Sequence, residues 1–298
     1  MTNLAPEAGP AHHAPAPAHV RFLLAVARAL GRVVGFAAAL MPLRSTRVTR
    51  INIALCFPEL GSRARQRLIR DSLIHTATFA FELPLVFGAR AAHVRQLVVG
   101  VDGESWLTGA LASGQGLLLL VPHIGNWELF SQYLGPHNVT ALYKPPRRSW
   151  LDVRLRARRG RRGARMFPAD RQGVRAVLET LRTGGLVALL PDQVPEPAAG
   201  ISAEFFGRPA LTMVLPARLA GATGCQVALG TAIRCRGGFR LEIAPLPALQ
   251  QAADVASATI ALNQAIEHCV RRYPAQYQWE YKRFKRISAD AVDPYRGT

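Results

Sequence analysis

The chain has 298 residues, 49% of them hydrophobic, with 21 prolines, a composition that suits a globular protein with many punctuated connections and a sizeable core. Its formal charge of +18 is the extreme feature, and among 37 basic residues only Lys144, Lys282 and Lys285 are lysines. Such a balance points to nucleic acid, an anionic membrane surface, or acidic and phosphorylated substrates, although a general richness in Ala, Arg and Gly accounts for part of it. The cysteines (Cys56, Cys225, Cys235 and Cys269) form no C-x-x-C pair and have no histidine at ligand spacing. That argues against a zinc site or a disulfide framework and for a reducing, cytoplasmic setting.

Residues 1–18 are mostly Pro, Ala and His and read as a disordered tail. From Val20 to Met41 an Ala/Val/Leu/Phe run carries Arg21, Arg28 and Arg32. At ~100° per residue the three arginines fall within about 20° of one line on a helix. The longest charge-free piece, Val33–Leu43, is well short of the ~20 residues that span a bilayer. A basic amphipathic helix lying in the membrane interface is therefore expected over 19–44. The alternatives are a helix packed on the protein's own core and a cleaved signal peptide.

Arg44, Arg47 and Arg50 continue the positive charge, and Ser62 is placed to cap a long helix to about Phe81 that Pro84 ends. Gly100–Gly103 reads as a turn and Trp106–Ala112 as a short helix. Leu117–Val121 is aliphatic at every position, as in a strand buried on both faces of a parallel sheet. Pro122 stops it, and Asn126 is placed to N-cap the next helix. A strand near Val139–Leu142 precedes the very basic stretch Tyr143–Arg165. A helix at Gln172–Leu181 then leads through Gly184–Gly185 into a second buried strand, Leu186–Leu190, which ends in Pro191–Asp192–Gln193. Phe205–Phe206–Gly207 reads as a loop and Thr212 as the N-cap of a helix to about Ala222. Strands at Gln226–Ile233 and Phe239–Ile243 and a helix at Ala253–Tyr273 follow. This alternation argues an α/β fold, a mixed and largely parallel sheet flanked by helices, with the N-terminal helical, membrane-associated segment attached. The divisions are a tail at 1–18, the interface helix at 19–44, a catalytic domain at 45–288 and a C-terminal tail at 289–298.

His123 lies just past the carboxyl end of a buried strand, where open α/β sheets place their ligands. Glu128, five residues on, is positioned in a first helical turn from which a carboxylate reaches back to an imidazole nitrogen. A histidine held in one tautomer by a carboxylate is the usual general base for a hydroxyl or water. The spacing alone is commonplace in a chain with eight histidines. Its place after an aliphatic strand, with Gly125 permitting close backbone approach, singles it out. Pro191–Asp192–Gln193 repeats the arrangement, so two strand ends converge on one site. On composition alone, Arg159 is one member of a solvated face with Arg154, Arg156, Arg158, Arg161 and Arg162, and Asp192 caps a turn. Trp127 and Phe206 read as core packing. The chain has no Gly-x-Ser-x-Gly elbow, P-loop or dinucleotide fingerprint. A single-strand binder interleaves aromatics among its basic residues, and here only Trp150 is near the arginine run.

From HIGNWE at His123–Glu128 outwards, the sequence resembles the late acyltransferases of lipid A biosynthesis, the lauroyl and myristoyl transferases of Gram-negative inner membranes. NIALCFPEL (Asn52–Leu60), Tyr143–Lys144–Pro145, the Arg159-to-Gly163 spacing, Asp192–Gln193, FFGRPALT (Phe205–Thr212) and YPAQYQWEYKRFK (Tyr273–Lys285) come in that family's order. The likeness runs from about Arg44 to Arg286. It implies transfer of a fatty acyl chain from acyl carrier protein to a hydroxyl of a phosphorylated membrane glycolipid, at the cytoplasmic side of the inner membrane. By motif position it makes His123 the base and Glu128 its partner, with Asn126, Lys144, Arg159 and Asp192 as substrate-binding positions. The donor thioester is already activated, so no cofactor, metal or covalent nucleophile is required. Candidate donors to the developing oxyanion are the backbone N–H groups at Gly125–Asn126 and the Asn126 amide. The chain departs from the family in a shorter, arginine-broken anchor and in Ser149–Trp150 where many members have Asn-Pro. The implied partners are acyl carrier protein, the phosphorylated glycolipid and an anionic membrane surface, with no nucleic acid. Acylation of another glycolipid or an aminolipid is the runner-up, and nucleic-acid binding a remote third.

Overall fold

A computed structural model describes residues 16–88, 90–145, 157–160, 163–285 and 293–296. Residues 1–15 of the tail expected at 1–18, Ser149–Trp150, the arginines at 154, 156, 161 and 162, and residues 289–292 and 297–298 lie outside these. Three helices open the chain: α1 (Ala18–Leu40), α2 (Arg44–Cys56) and α3 (Ser62–Gly88). Then come α4 (Ala91–Gln96), β1 (Val98–Asp102), α5 (Glu104–Ala112), β2 (Leu117–Leu120), α6 (Trp127–Leu134), β3 (Thr140–Tyr143) and β4 (Arg165–Pro168). They are followed by α7 (Arg171–Arg182), β5 (Leu186–Leu189), β6 (Gly200–Phe205), β7 (Arg208–Met213), α8 (Leu215–Thr223), β8 (Gln226–Cys235), β9 (Gly238–Pro245) and α9 (Val255–Arg272).

The main sheet runs β1-β9-β8-β2-β5-β3-β4, and every neighbouring pair is parallel except β8–β9. β2 is central, with Leu117 opposite both Leu186 of β5 and Gln226 of β8. Its four leucines are all fully buried. Leu118 and Leu120 face the core formed with α7, α8 and α9, while Leu117 and Leu119 face the core under α4, α5 and α6. Helices cover both faces, so an unbroken aliphatic run is what such a strand requires. The α/β expectation therefore holds, but three local readings do not. The stretch read as a turn at Gly100–Gly103 is mostly β1, paired with β9, and only Gly103 (φ +84°) makes the turn. Phe205–Thr212 is a β6–β7 hairpin rather than loop and helix start. Phe206 and Gly207 (φ 54° and 67°) occupy the left-handed positions of its two-residue turn, and Thr212 lies within β7. α3 also runs through Pro84 to Gly88, and Ala80, whose carbonyl loses that N–H, is exposed to water.

α1 packs along α3 through a stripe of Val20, Leu24, Ala27, Gly31 and Gly35. The approach is close enough that a Cβ on Gly31 or Gly35 would lie 2.4 Å from the Cα of Thr78 or Ile74, respectively. The arginine line lies about 80° from the middle of that stripe, at the edge of the contact. Arg28 consequently turns inward rather than toward a membrane. Its guanidinium donates to Glu82 Oε1 (3.0 Å) and to the carbonyls of Cys235 (2.8 Å) and Gly238 (2.7 Å). The opposite face is apolar and open to solvent, with Phe22 68%, Val33 69% and Leu40 73% exposed. By length and composition, and contrary to the expectation from its longest charge-free piece, α1 is the one helix among the described residues long and apolar enough to cross a membrane. Residues 293–296, expected in a tail, instead bury Tyr295, whose hydroxyl donates to Asn52 Oδ1 and accepts from the Phe284 N–H (3.0 Å).

Candidate active site

β2 and β5 end side by side, so the residues after their prolines meet. Val121 N–H still bonds the Leu189 carbonyl (2.8 Å), and one step on the Asp192 carboxylate takes His123 at two points. Oδ2 accepts the His123 backbone N–H (2.9 Å), and Oδ1 lies 2.7 Å from Nδ1. A carboxylate only accepts, so Nδ1 carries a proton, and in the neutral imidazole the lone pair then lies on Nε2. The Gln193 amide nitrogen, 3.1 Å away, donates to Nε2. Burial alone would push the Asp192 carboxyl up, but the His123 charge and the two hydrogen bonds hold it below the ordinary carboxylate value. The edge of Trp127 meets the imidazole (4.8 Å, 66°), and Phe79 of α3 stacks on Trp127 (4.0 Å, 26°). Trp127 is half-buried: it packs against the core under α4, α5 and α6, as expected, and also forms a wall of the site.

The loop from His123 to Asn126 is stitched to its surroundings. Gln278 N–H donates to the His123 carbonyl (3.0 Å), Gly125 N–H to Gln276 (2.9 Å) and Asn126 N–H to Ala232 (2.8 Å). Gly125 has φ +65°, and a Cβ there would fall 1.9 Å from the Ala232 carbonyl oxygen. Asn126 caps α6 as expected, its Oδ1 accepting the Leu129 N–H (3.0 Å), while its amide donates to Glu82 (2.9 Å). Each group suggested as an oxyanion donor, both backbone N–H groups and the Asn126 amide, is thus engaged within the protein. Asn126 is fully buried and braces the loop rather than lining open space.

Glu128 does not reach the imidazole. Asp192 and Gln193 already hold the two ring nitrogens, and Glu128 instead takes Arg159 in a two-pronged pair, Nε to Oε2 at 3.1 Å and a second N–H to Oε1. Among the described residues of the basic stretch, Arg159 is the one paired with Glu128. Lys144 follows β3 as an exposed side chain whose charge is felt at Tyr281. The sequence reading missed Glu82, fully buried, which accepts from Arg28, from Asn126 and from Arg234 (2.7 Å). Its signal was a lone carboxylate in the apolar run Phe79–Phe87, a residue type almost never buried without partners.

The segments likened to one family also meet in space. Asn52 donates to the carbonyls of Trp279 (2.6 Å) and Tyr281 (2.8 Å), and Phe57 and Phe206 pack edge-on (5.1 Å) beside Trp279. The profile described as bacterial lipid A biosynthesis acyltransferase matches residues 20–286.

The chain belongs to that family.

Among its relatives, the lipid A biosynthesis lauroyltransferase of Escherichia coli (strain K12) is 25% identical over 257 residues, 81% of this chain and 79% of that protein. The palmitoleoyltransferase of the same organism is 27% identical over 267 residues, 86% and 84% of the two chains. A phosphatidylinositol mannoside acyltransferase of Mycobacterium tuberculosis is 29% identical over 204 residues, 66% and 63%. In this member of the family, the C-terminal segment supplies the backbone groups at Gln276 and Gln278 that pin the His123 loop.

Proposed function

We propose that this acyltransferase moves a fatty acyl chain from the thioester of acyl carrier protein to a hydroxyl of a phosphorylated glycolipid, a lipid A precursor, at the cytoplasmic face of the inner membrane. The observation that carries it is the His123–Asp192 pair, with its proton on Nδ1 and its lone pair on Nε2. An acceptor hydroxyl replaces the Gln193 amide at Nε2 and gives up its proton as its oxygen attacks the thioester carbonyl. The new C–O bond forms, the C–S bond breaks, and the imidazolium returns the proton to the departing thiolate. Asp192, held ionised, stabilises the imidazolium; a base in place supplies roughly 10²–10⁴ in rate. Glu128 acts through Arg159, positioning its guanidinium at the rim of the site for an anionic part of a substrate, and Lys144 adds a second cation. The thioester needs no Lewis acid.

Purified enzyme, acyl carrier protein charged with fatty acid and a diglucosamine lipid should yield a product heavier by one acyl chain, read by mass spectrometry. His123→Ala should lower that rate ~10²-fold or more in a folded protein; more than half of wild-type activity remaining would rule out the base. The mycobacterial relative favours a second reading, acylation of a different glycolipid, which the same assay tests with that acceptor.

The outward face of α1 supports a monotopic attachment. About 35 Å of helix presents apolar side chains away from α3, in the manner of a helix lying in the headgroup boundary.

A further inference from the structure

Where α1 gives way to α2, the protein has an open cavity of 320 Å³ between the first turn of α2 and the segment 280–285. Three cations line it: Arg44, Lys282 and Lys285. Two of the chain's three lysines are therefore here, and the third, Lys144, is close enough to affect Tyr281 on the cavity wall. Ser45 adds a hydroxyl, and buried Val48 forms an apolar back. One carboxylate, Glu280, shares the lining, and it accepts a hydrogen bond from Thr76 (3.1 Å). Among the described residues, Arg44 and Lys285 have no carboxylate within ion-pair distance.

We infer that this cavity binds the phosphate of the lipid acceptor. The inference rests on the acyl-transfer reading above and adds where the acceptor's anionic end sits. Lysine ammonium groups are compact point charges suited to phosphate, and an arginine fork adds paired donors. The cavity also stands at the correct level. Leu40, Met41 and Leu43, all exposed, immediately precede Arg44, so the apolar face of α1 ends where the cations begin. On its other side the cavity adjoins the catalytic loop. Glu280 also lines the crevice beside Gly125 and Trp127. The Tyr281 hydroxyl accepts the Val194 N–H (2.9 Å), next in sequence to the Gln193 that touches His123. A phosphorylated sugar held here lies along residues 278–281 toward Nε2, its acyl chains against α1. A concave site of this size holds a small headgroup; an acidic carrier protein needs a surface nearer 800 Å².

The test measures binding to the full-length enzyme in neutral detergent micelles, without acyl donor. The probes are a monophosphorylated diglucosamine lipid, the same lipid after phosphatase treatment, and inorganic phosphate. Wild type should prefer the phosphorylated lipid roughly tenfold, and Arg44→Gln/Lys282→Gln/Lys285→Gln should bind both lipids alike. In turnover the triple variant should raise KM for the phosphorylated acceptor by a similar factor while kcat stays within about twofold. Lys282→Arg/Lys285→Arg should keep the preference, and Arg44→Gln alone should lose about a third to a half of it, which keeps the idea testable if the triple variant folds poorly. Equal affinity of wild type for the two lipids would overturn the site, as would an unchanged KM in the triple variant. Inorganic phosphate binding as tightly as the lipid would make it a free-phosphate site. Loss of carrier-protein binding with lipid binding intact would make it a protein dock. Preferential lipid binding without acyl transfer would instead support the cavity and sink the reaction.

Discussion

His123 takes its protonation pattern from one neighbour. Asp192→Asn preserves shape, but an amide cannot be relied on to accept from Nδ1–H, and it removes the charge that favours the imidazolium. Acyl transfer should fall on the order of 10²-fold or more with the melting temperature little changed. Wild-type-like turnover in that variant would show that the base is oriented by something else. Glu128→Gln should act differently: with one prong of the Arg159 pair weakened, KM should rise more than kcat falls, and a kcat loss equal to that of His123→Ala would place Glu128 in the chemistry itself. His75, on α3 and lining the same crevice as Trp127, supplies a pH test. Burial first, and the nearby Arg234 charge next, push its pKa down to about 4. The unfolded chain takes up this proton near pH 6.5, whereas the fold resists it until about pH 4. The stabilisation is thus complete above about pH 6.5 and lost as pH falls toward 4, roughly 3 kcal/mol in all. His75→Asn should flatten the stability curve in that window; an unaltered slope in urea melts would assign the loss to other groups.

At the scale of elements, the joint between α1, α3 and β8 is held by charge as much as by packing. Glu82 on α3 is buried between Arg28 of α1 and Arg234 of β8 and also carries the Asn126 amide. Arg234 is itself buried, and burial pushes its guanidinium down while Glu82 pushes it back up. Removing one member leaves a buried charge uncompensated, which costs roughly 3–5 kcal/mol. Glu82→Ala should therefore destabilise strongly and, by freeing Asn126, loosen the His123 loop. Glu82→Gln should be milder. Arg28→Gln should also destabilise, whereas Arg21→Gln and Arg32→Gln, on exposed side chains, should leave the melting temperature nearly unchanged. Equal melts for Arg28→Gln and Arg32→Gln would mean that the inward contact contributes nothing. On α1 itself, Gly35→Leu cannot be accommodated without moving the helix off Ile74, and thermal unfolding should report a loss of a few kcal/mol.

For the whole molecule, the exposed apolar residues of α1 lead into the basic start of α2, and Glu280 links the cavity there to the crevice beside the catalytic loop. The resulting expectation is a salt signature with two parts. Phe22→Ser/Val33→Ser/Phe36→Ser should weaken binding to vesicles at every ionic strength, because apolar burial is not screened. Arg44→Gln/Arg47→Gln/Arg50→Gln should weaken it mainly at low salt and mainly for anionic vesicles, each charge contributing on the order of 1 kcal/mol. Flotation assays separate the two. A serine triple variant that still floats like wild type would mean that α1 is not the membrane contact.

Patterns local in sequence were enough to establish the α/β class, the doubly covered strand at Leu117–Leu120, the cap at Asn126, and the convergence of the strand ends that carry His123 and Asp192; Ser62 begins α3 as its first helical residue rather than capping it. A buried strand and a helix start are each written in a few adjacent residues, because burial on both faces and an orphan N–H are local demands. Only the tertiary structure determined which carboxylate holds the imidazole. Glu128 is close in sequence, but β2 lies beside β5 in the sheet, and that order puts Asp192 on Nδ1 and leaves Glu128 for Arg159. The rotation of α1 was hidden for the same reason. Its wheel shows an arginine line and an apolar face, but Glu82, fifty-four residues away, is what draws Arg28 inward and leaves the apolar face outward. Buried charges choose partners through space, and no periodicity in the chain records that choice.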